Sequence, residues 1–227
     1  MLGHPPEEIE DLCEACRILY QKGLICSSGG NVSLRVGDDI YITPTGGTLW
    51  RLQPDEMVKV RLVDGQVVSP GRPSKELGFH LGMFRSHPDV AAVVHVHPTM
   101  TIAFSARYPT PGLDAIPATN AGFYVRAGKI PLVPYFPSGS SDLHRAVNTL
   151  ANDYTTIVLG NHGVIVARAT LLEAVNATEE IEQNSQIFLL AGPDAQYLTP
   201  VQCAAIDRAL KRSWPDSGKY GDWLAAL

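Results

Sequence analysis

The chain predicts an α/β protein, and three features of the sequence carry that expectation. Its 227 residues are 45% hydrophobic and 18% charged, enough apolar material for a substantial core. Segments with 3.6-residue apolar periodicity alternate with short runs of β-branched residues. No internal repeat, low-complexity tract or linker divides the chain, so one domain over 1–227 is the economical reading.

The first helix should open near Pro5-Pro6, where proline is tolerated, and stop near Gly23. Glu7, Glu8 and Glu10 suit its positive end. Ile9, Leu12, Cys13, Cys16, Leu19 and Tyr20 fall on one stripe. Cys13 and Cys16 form a C-x-x-C, which reads either as a redox or zinc pair or as two small core groups. The shared stripe favours the core reading. The remaining cysteines, Cys26 and Cys203, do not form a second pair that would complete a zinc site.

A flexible loop, Ser27-Ser28-Gly29-Gly30-Asn31, comes next. Asn31–Val36 and Asp39–Thr43 read as a hairpin around Gly37-Asp38. Asp64-Gly65 signals a second hairpin between Met57–Val63 and Gln66–Ser69. Pro73-Ser74 opens a helix that runs to Ser86 and ends before Pro88. Val90–His97 is a strand, and Pro98 opens a short helix through Phe104. From Tyr108 to Ser141 the chain reads as loop, with Ile130–Tyr135 as a strand. A helix over Asp142–Ala151 leads to strands Thr156–Leu159 and Gly163–Val166 around Asn161-His162. Helices over Thr170–Ala191 and Thr199–Lys211 follow.

Composition excludes several function classes. Lys plus Arg is 18 against 23 for Asp plus Glu, a net charge of −5, which gives no general attraction to nucleic acid or an anionic membrane. No apolar run approaches the roughly 20 residues that span a bilayer. Met1–Glu10 is acidic and Pro-rich, without a signal-peptide core, so the expected location is the cytoplasm.

The chemistry gathers on histidines. His95-Val96-His97 lies on an apolar strand, and strand alternation projects residues i and i+2 from the same face. Two adjacent imidazoles either chelate a divalent cation or hydrogen-bond to backbone at the sheet edge. His162, between Gly160-Asn161 and Gly163, is either a turn histidine or a third nitrogen ligand. Three protein ligands and an open position make the layout of a catalytic Zn2+ site. Glu76 opens a helix, where it complements the dipole or, alternatively, ligates the metal or moves protons beside it. His80, one turn on, is a supporting or packing residue. Three segments offer anion contacts: Gly29-Gly30-Asn31, Thr43-Pro44-Thr45-Gly46-Gly47 and Ser74-Lys75.

Taken in order, Ser28-Gly29-Gly30-Asn31-Val32-Ser33, Ile42-Thr43-Pro44-Thr45-Gly46, Pro73-Ser74-Lys75-Glu76, Val93-Val94-His95-Val96-His97 and Asn161-His162-Gly163 resemble the class II aldolase/adducin-type family. The resemblance runs from about Glu8 to Ala191. It implies a three-layer α/β/α sandwich around a mixed, largely antiparallel sheet. It also implies one Zn2+ per chain, with Mn2+, Co2+ or another divalent ion as substitutes. By position His95, His97 and His162 match the metal ligands. Glu76 matches the catalytic acid/base and a possible fourth ligand. Gly30, Asn31, Thr45, Gly46, Ser74 and Lys75 match the substrate-phosphate loops. The usual assembly is a homotetramer with active sites at subunit interfaces.

The resemblance points to two lyase reactions that share Lewis-acid stabilisation of an enediolate. The first expectation is an aldolase that cleaves a ketose 1-phosphate to dihydroxyacetone phosphate and an aldehyde, as in L-fuculose-phosphate aldolase. The alternative is decarboxylation of a 3-oxo-tetronate 4-phosphate. A sugar-phosphate epimerase or a non-catalytic adducin-like module ranks below both. In either reaction the partner is a small phosphorylated sugar or sugar acid. Two positions depart from the aldolase pattern. Asn120 stands where the aldolase has a catalytic tyrosine, with Tyr124 the nearest phenol, and Ser138 stands where it has an aromatic residue. Ile130-Pro131-Leu132-Val133-Pro134-Tyr135 and Gln196-Tyr197-Leu198-Thr199 look at least as similar to the decarboxylase branch.

Overall fold

In the computed structural model, which describes residues 6–220, the strands are β1 (Asn31–Val36), β2 (Asp39–Ile42), β3 (Val58–Arg61), β4 (Ala92–Val96), β5 (Leu132–Val133), β6 (Thr156–Leu159) and β7 (Gly163–Arg168). They form one sheet in the order β3-β2-β1-β4-β7-β6-β5. Every neighbouring pair is antiparallel except β5 and β6, which run parallel. The helices are α1 (Glu8–Gln21), α2 (Leu77–Ser86), α3 (Thr99–Arg107), α4 (Ala121–Ala127), α5 (Ser141–Leu150), α6 (Leu171–Ala191) and α7 (Pro200–Ala209).

Period-two alternation divides the core into two layers. Val32, Val94, Val96 and Val164 face the cluster that holds Leu12 of α1, Phe104 of α3, Phe123 of α4 and Ile181 of α6. Ile40, Val93, Ile157 and Ile165 face the opposite cluster, with Phe79 and Phe84 of α2 and Leu143 and Val147 of α5. Each fully buried side chain of this kind contributes roughly 1.5–3 kcal/mol. Helices cover both faces of the sheet, which makes the expected three-layer α/β/α sandwich. Cys13 and Cys16 lie in the first cluster, where burial raises both thiol pKa values, Cys13 to about 11.

Several boundaries depart from expectation for local reasons. α1 begins at Glu8 instead of near Pro5-Pro6, and Pro5 lies outside the described residues. Tyr20, expected on the buried stripe, is 41% exposed and packs against Trp50. The second hairpin keeps β3, but its return arm makes a single bridge, Val60 to Val67, because the Ser69 hydroxyl replaces a backbone acceptor for the Lys59 N–H. β5 is two residues long, shorter than Ile130–Tyr135. α4, in a stretch expected to be loop, was signalled by Asn120 as N-cap and Gly128 at its end: Asn120 accepts from Phe123 N, and Gly128 has φ +66°.

The α2 boundary bears directly on the site. The helix starts at Leu77, not Pro73-Ser74. The Ser74 hydroxyl accepts from Glu76 N at 3.2 Å, and its carbonyl accepts from Leu77 N at 3.1 Å. That turn competes with helix. Glu76 therefore sits at the N-cap, and its side chain makes no cap hydrogen bond there.

Candidate metal and catalytic site

The site forms at one end of β1 and β4, on the face covered by α2 and α5. Asn31 and His95 are cross-strand partners, and Ser33 follows Asn31 on the same face of β1. His95 is fully buried, one residue before Val96 ends β4; His97 stands just beyond the strand, half-buried. The imidazole centroids of His95 and His97 are 4.9 Å apart, as their shared strand face predicts.

The β6–β7 turn supplies the third imidazole. Asn161 takes φ +53° and donates its N–H to the Ser105 hydroxyl, while His162 N donates to Leu159 O. The turn sits tight against β4: a Cβ on Gly163 would lie 2.3 Å from Val96 O and 2.9 Å from His97 Cδ2. Glycine alone permits that approach. The His162 centroid lies 4.9 Å from that of His95 and 5.0 Å from that of His97. Gly29 makes room on the other side, since a Cβ there would meet His97 Nδ1 at 2.6 Å.

One ligand-capable nitrogen from each of the three rings lies within 4.8 Å of the others. His95 Nδ1 donates to Val164 O at 3.1 Å, which turns its Nε2 to the centre. There it meets His97 Nε2 at 3.1 Å. Two imidazole nitrogens facing each other at this distance suit a shared cation. Burial, then the charge on His95 and His162, pushes His97 down to about 3. Burial, then His95, pushes His162 down to about 4. Neutral imidazole is the ligating form. The donor set, three imidazole nitrogens around one point, fits Zn2+ or a similar divalent ion.

Glu76 completes the cluster. It is 4% exposed, with Oε2 3.2 Å from His95 Nε2 and Oε1 3.4 Å from His162 Nε2. Asn31 Nδ2 donates to Oε2 at 2.8 Å, and the Ser138 hydroxyl donates to Oε1 at 2.8 Å. Burial opposes charge on this carboxyl. The charge and hydrogen bond of His95, with the Asn31 and Ser138 bonds, outweigh it and hold Glu76 well below the ordinary carboxylate range.

The expected anion segments meet only in part. The 43–46 loop and the 72–75 turn lie side by side through a Pro44–Pro73 bridge, with Thr45 N donating to Arg72 O and Ser74 N to Thr43 O. Thr45, Gly46, Ser74 and Lys75 thus share one rim, where Gly46 and Lys75 are exposed. Gly30 packs on the β4 backbone, where a Cβ would meet His95 O at 2.7 Å. Asn31 departs from its expected place: its side-chain amide faces Glu76 and His80, not the loop rim. Tyr124 is not brought to the histidines either. Its hydroxyl donates to Asp207 at 2.9 Å, and burial, then Asp207, raises the phenol pKa.

Ser138, read in the sequence only as a lost aromatic, is a site residue that no sequence pattern signals. Gly139, at φ +72°, lets the loop press on Lys75, where a Cβ would meet Lys75 Cβ at 3.1 Å, and this carries Ser138 to Glu76.

Comparison with known proteins gives the family. The family model "Class II Aldolase and Adducin N-terminal domain" matches residues 10–189. Over 199 residues the chain is 35% identical to the 3-oxo-tetronate 4-phosphate decarboxylase of Escherichia coli (strain K12), covering 87% of this chain and 93% of that one. Over 185 residues it is 34% identical to an L-fuculose phosphate aldolase of Methanococcus maripaludis, covering 79% and 95%. The crystal structure of YgbL from Escherichia coli superposes with a TM-score of 0.83 at 32% identity, covering 88% of this chain and 97% of that one. A match over most of the chain to this family and its lyases makes the protein an enzyme of the class II aldolase and adducin family.

Proposed function

We propose that the protein is a divalent-metal-dependent lyase, with Zn2+ held by His95, His97 and His162, that decarboxylates a phosphorylated 3-oxo sugar acid. The observation that carries this reading is the Glu76 carboxylate, gripped by Asn31 and Ser138 against His95 and His162 of the histidine cluster. A divalent ion held by these histidines would supply Lewis acidity to the substrate's carbonyl. Loss of CO2 from a 3-oxo acid breaks one C–C bond and leaves an electron pair beside the ketone, which a single proton quenches. Glu76 is the proton-handling group, and the exposed Ser138, whose hydroxyl donates to Oε1, links it to the solvent side. Lys75, Ser74 and the Gly46 turn serve the phosphate at the outer rim, with Lys75 adding a full charge near the α2 N-terminus.

Aldol cleavage is the second reading, supported by the aldolase relatives. It requires a further proton transfer, from the hydroxyl on the departing carbon. Asn120, in the place of the aldolase's tyrosine, caps α4, and Tyr124 donates to Asp207. Those two placements favour decarboxylation, which reverses the order in which the sequence alone put the reactions. The 3-oxo-tetronate 4-phosphate decarboxylase relatives support the same choice. A cytoplasmic homotetramer, with neighbouring subunits bordering each site, completes the reading. Among the described residues no helix is long and apolar enough to cross a membrane.

The test is a panel of 3-oxo acid phosphates and ketose 1-phosphates with the Zn2+-loaded protein, scored for CO2 and for aldehyde. CO2 release abolished by chelation supports decarboxylation. Aldehyde release alone transfers the assignment to the aldolase.

A further inference from the structure

The site contains a buried polar chain that the reaction itself does not require. Ser33 Oγ lies 2.6 Å from His80 Nδ1, and His80 Nε2 lies 2.5 Å from Asn31 Oδ1. Asn31 Nδ2 donates to Glu76 Oε2 at 2.8 Å. Ser33 and His80 are both fully buried, and Phe79 stacks on the imidazole at 5.0 Å. If only volume were needed here, an apolar pair would be the cheaper occupant, because buried polar groups contribute only when fully hydrogen-bonded.

The bonds have a fixed direction. A carbonyl oxygen only accepts, so His80 Nε2 carries the hydrogen that reaches Asn31 Oδ1. In a neutral ring Nδ1 is then an acceptor, and the Ser33 hydroxyl must donate to it. Burial, then the charge on His95, pushes His80 down to about 3, in keeping with a neutral ring. With Asn31 Oδ1 tied to His80, its NH2 group is turned to Glu76. The flipped amide would set Oδ1 against Glu76 Oε2, two acceptors in contact.

We propose that His80 is a positioning residue for Glu76: its Nε2–H, with Ser33 donating to Nδ1 behind it, holds the Asn31 amide, which in turn sets the carboxylate against the histidine cluster. This rests on the reading of Glu76 as the proton-handling group. Packing of α2 on β1 brings the four side chains together. Asn31 and Ser33 share one face of β1, and Glu76 and His80 are one turn apart at the start of α2.

The test uses full-length, Zn2+-loaded protein. Imidazole nitrogen-15 NMR should report His80 as the Nε2–H tautomer, and Ser33→Ala, which removes the donor to Nδ1, should move the Nδ1 resonance while the hydrogen stays on Nε2. An Nδ1–H or doubly protonated ring in the unsubstituted protein overturns the proposal. His80→Leu, which keeps volume and removes the donor, should lower kcat roughly 10- to 100-fold, with KM and zinc content within about twofold. His80→Gln, which restores an N–H donor, should recover kcat to within about threefold of the starting protein at a similar Tm. Unchanged kcat in His80→Leu, or equal losses in the Leu and Gln variants, overturns the positioning role. If His80→Leu does not fold, Ser33→Ala carries the same kcat comparison. If the unsubstituted protein releases neither CO2 nor aldehyde from any substrate, the functional reading fails instead. The Asn31 side-chain amide signals then decide the positioning: a shift in His80→Leu supports it, and unchanged signals overturn it.

Discussion

At the scale of single residues, the central contrast is between Glu76 and Lys75, neighbours in sequence with opposite environments. Glu76 is buried and bonded from two sides, whereas Lys75 is exposed on the rim. Glu76→Gln preserves shape and removes proton acceptance. It is expected to lower kcat by about 10²-fold or more while metal content and Tm stay close to those of the starting protein. Near-unchanged kcat would return Glu76 to a structural role. Lys75→Ala should act on KM instead, raising it roughly tenfold for a phosphorylated substrate if one charge-assisted contact is lost, with zinc content unaffected. Comparing the phosphorylated substrate with its dephosphorylated form in both proteins checks this. Equal turnover of the two forms by the unsubstituted enzyme would remove phosphate from the rim.

At the scale of elements, the site depends on how closely the β6–β7 turn approaches β4. Gly163 touches the Val96 carbonyl, and a backbone oxygen in a paired strand has no room to retreat. Gly163→Ala should therefore cost ~1–3 kcal/mol by overpacking. The same change should lower metal stoichiometry, because it parts His162 from His95 and His97. Gly112, where an added Cβ meets nothing within 4 Å, is the matched control. Urea midpoints and bound-metal analysis of the two alanine variants decide the matter. Equal behaviour would show that the turn tolerates the methyl. The start of α2 teaches a related lesson. The Ser74 turn delays the helix to Leu77 and frees the Glu76 side chain from capping duty, which leaves it available to the histidines.

At the scale of the whole molecule, buried neutral histidines couple the fold to pH. His80 and His97 are held at about 3 and His162 at about 4, against an ordinary 6.5. As the pH falls below 6.5, the unfolded chain takes up protons that the native state refuses. Stability is complete above that value and is lost between about 6.5 and about 3, by ~1.4 kcal/mol per pH unit for each proton of difference. Metal-free protein should therefore show urea midpoints that are level above about pH 6.5 and drop from there to pH 5, and His80→Gln should flatten the slope. A constant midpoint would contradict the buried neutral state. Zn2+ binds the native chain only, so adding it should raise the midpoint at pH 7.5 and lose effect as protons compete for His97 and His162.

What the sequence by itself determined is whatever local rules reach. Strand alternation put His95 and His97 on one face, helical spacing put Glu76 and His80 one turn apart, and glycines marked the His162 turn. The alternation of helical and strand patterns set the α/β class, and the order of five short motifs pointed to the family that the comparisons support. Tertiary structure alone decided that the third histidine joins the other two, since β4 and β7 pair across a sheet that no local rule orders. It alone turned the Asn31 amide inward to Glu76 and brought in Ser138. Those partners stand 45 and 62 positions from the carboxylate, far beyond the reach of a helical or strand period. The α4 helix was legible in its Asn120 cap and Gly128 end, but seven residues give too few turns for apolar periodicity to rise above loop composition. The physical divide is one of range. Periodicity and caps act over a few residues and were readable in advance. A buried carboxylate takes its partners from wherever the packed layers place donors, and that depends on the whole fold.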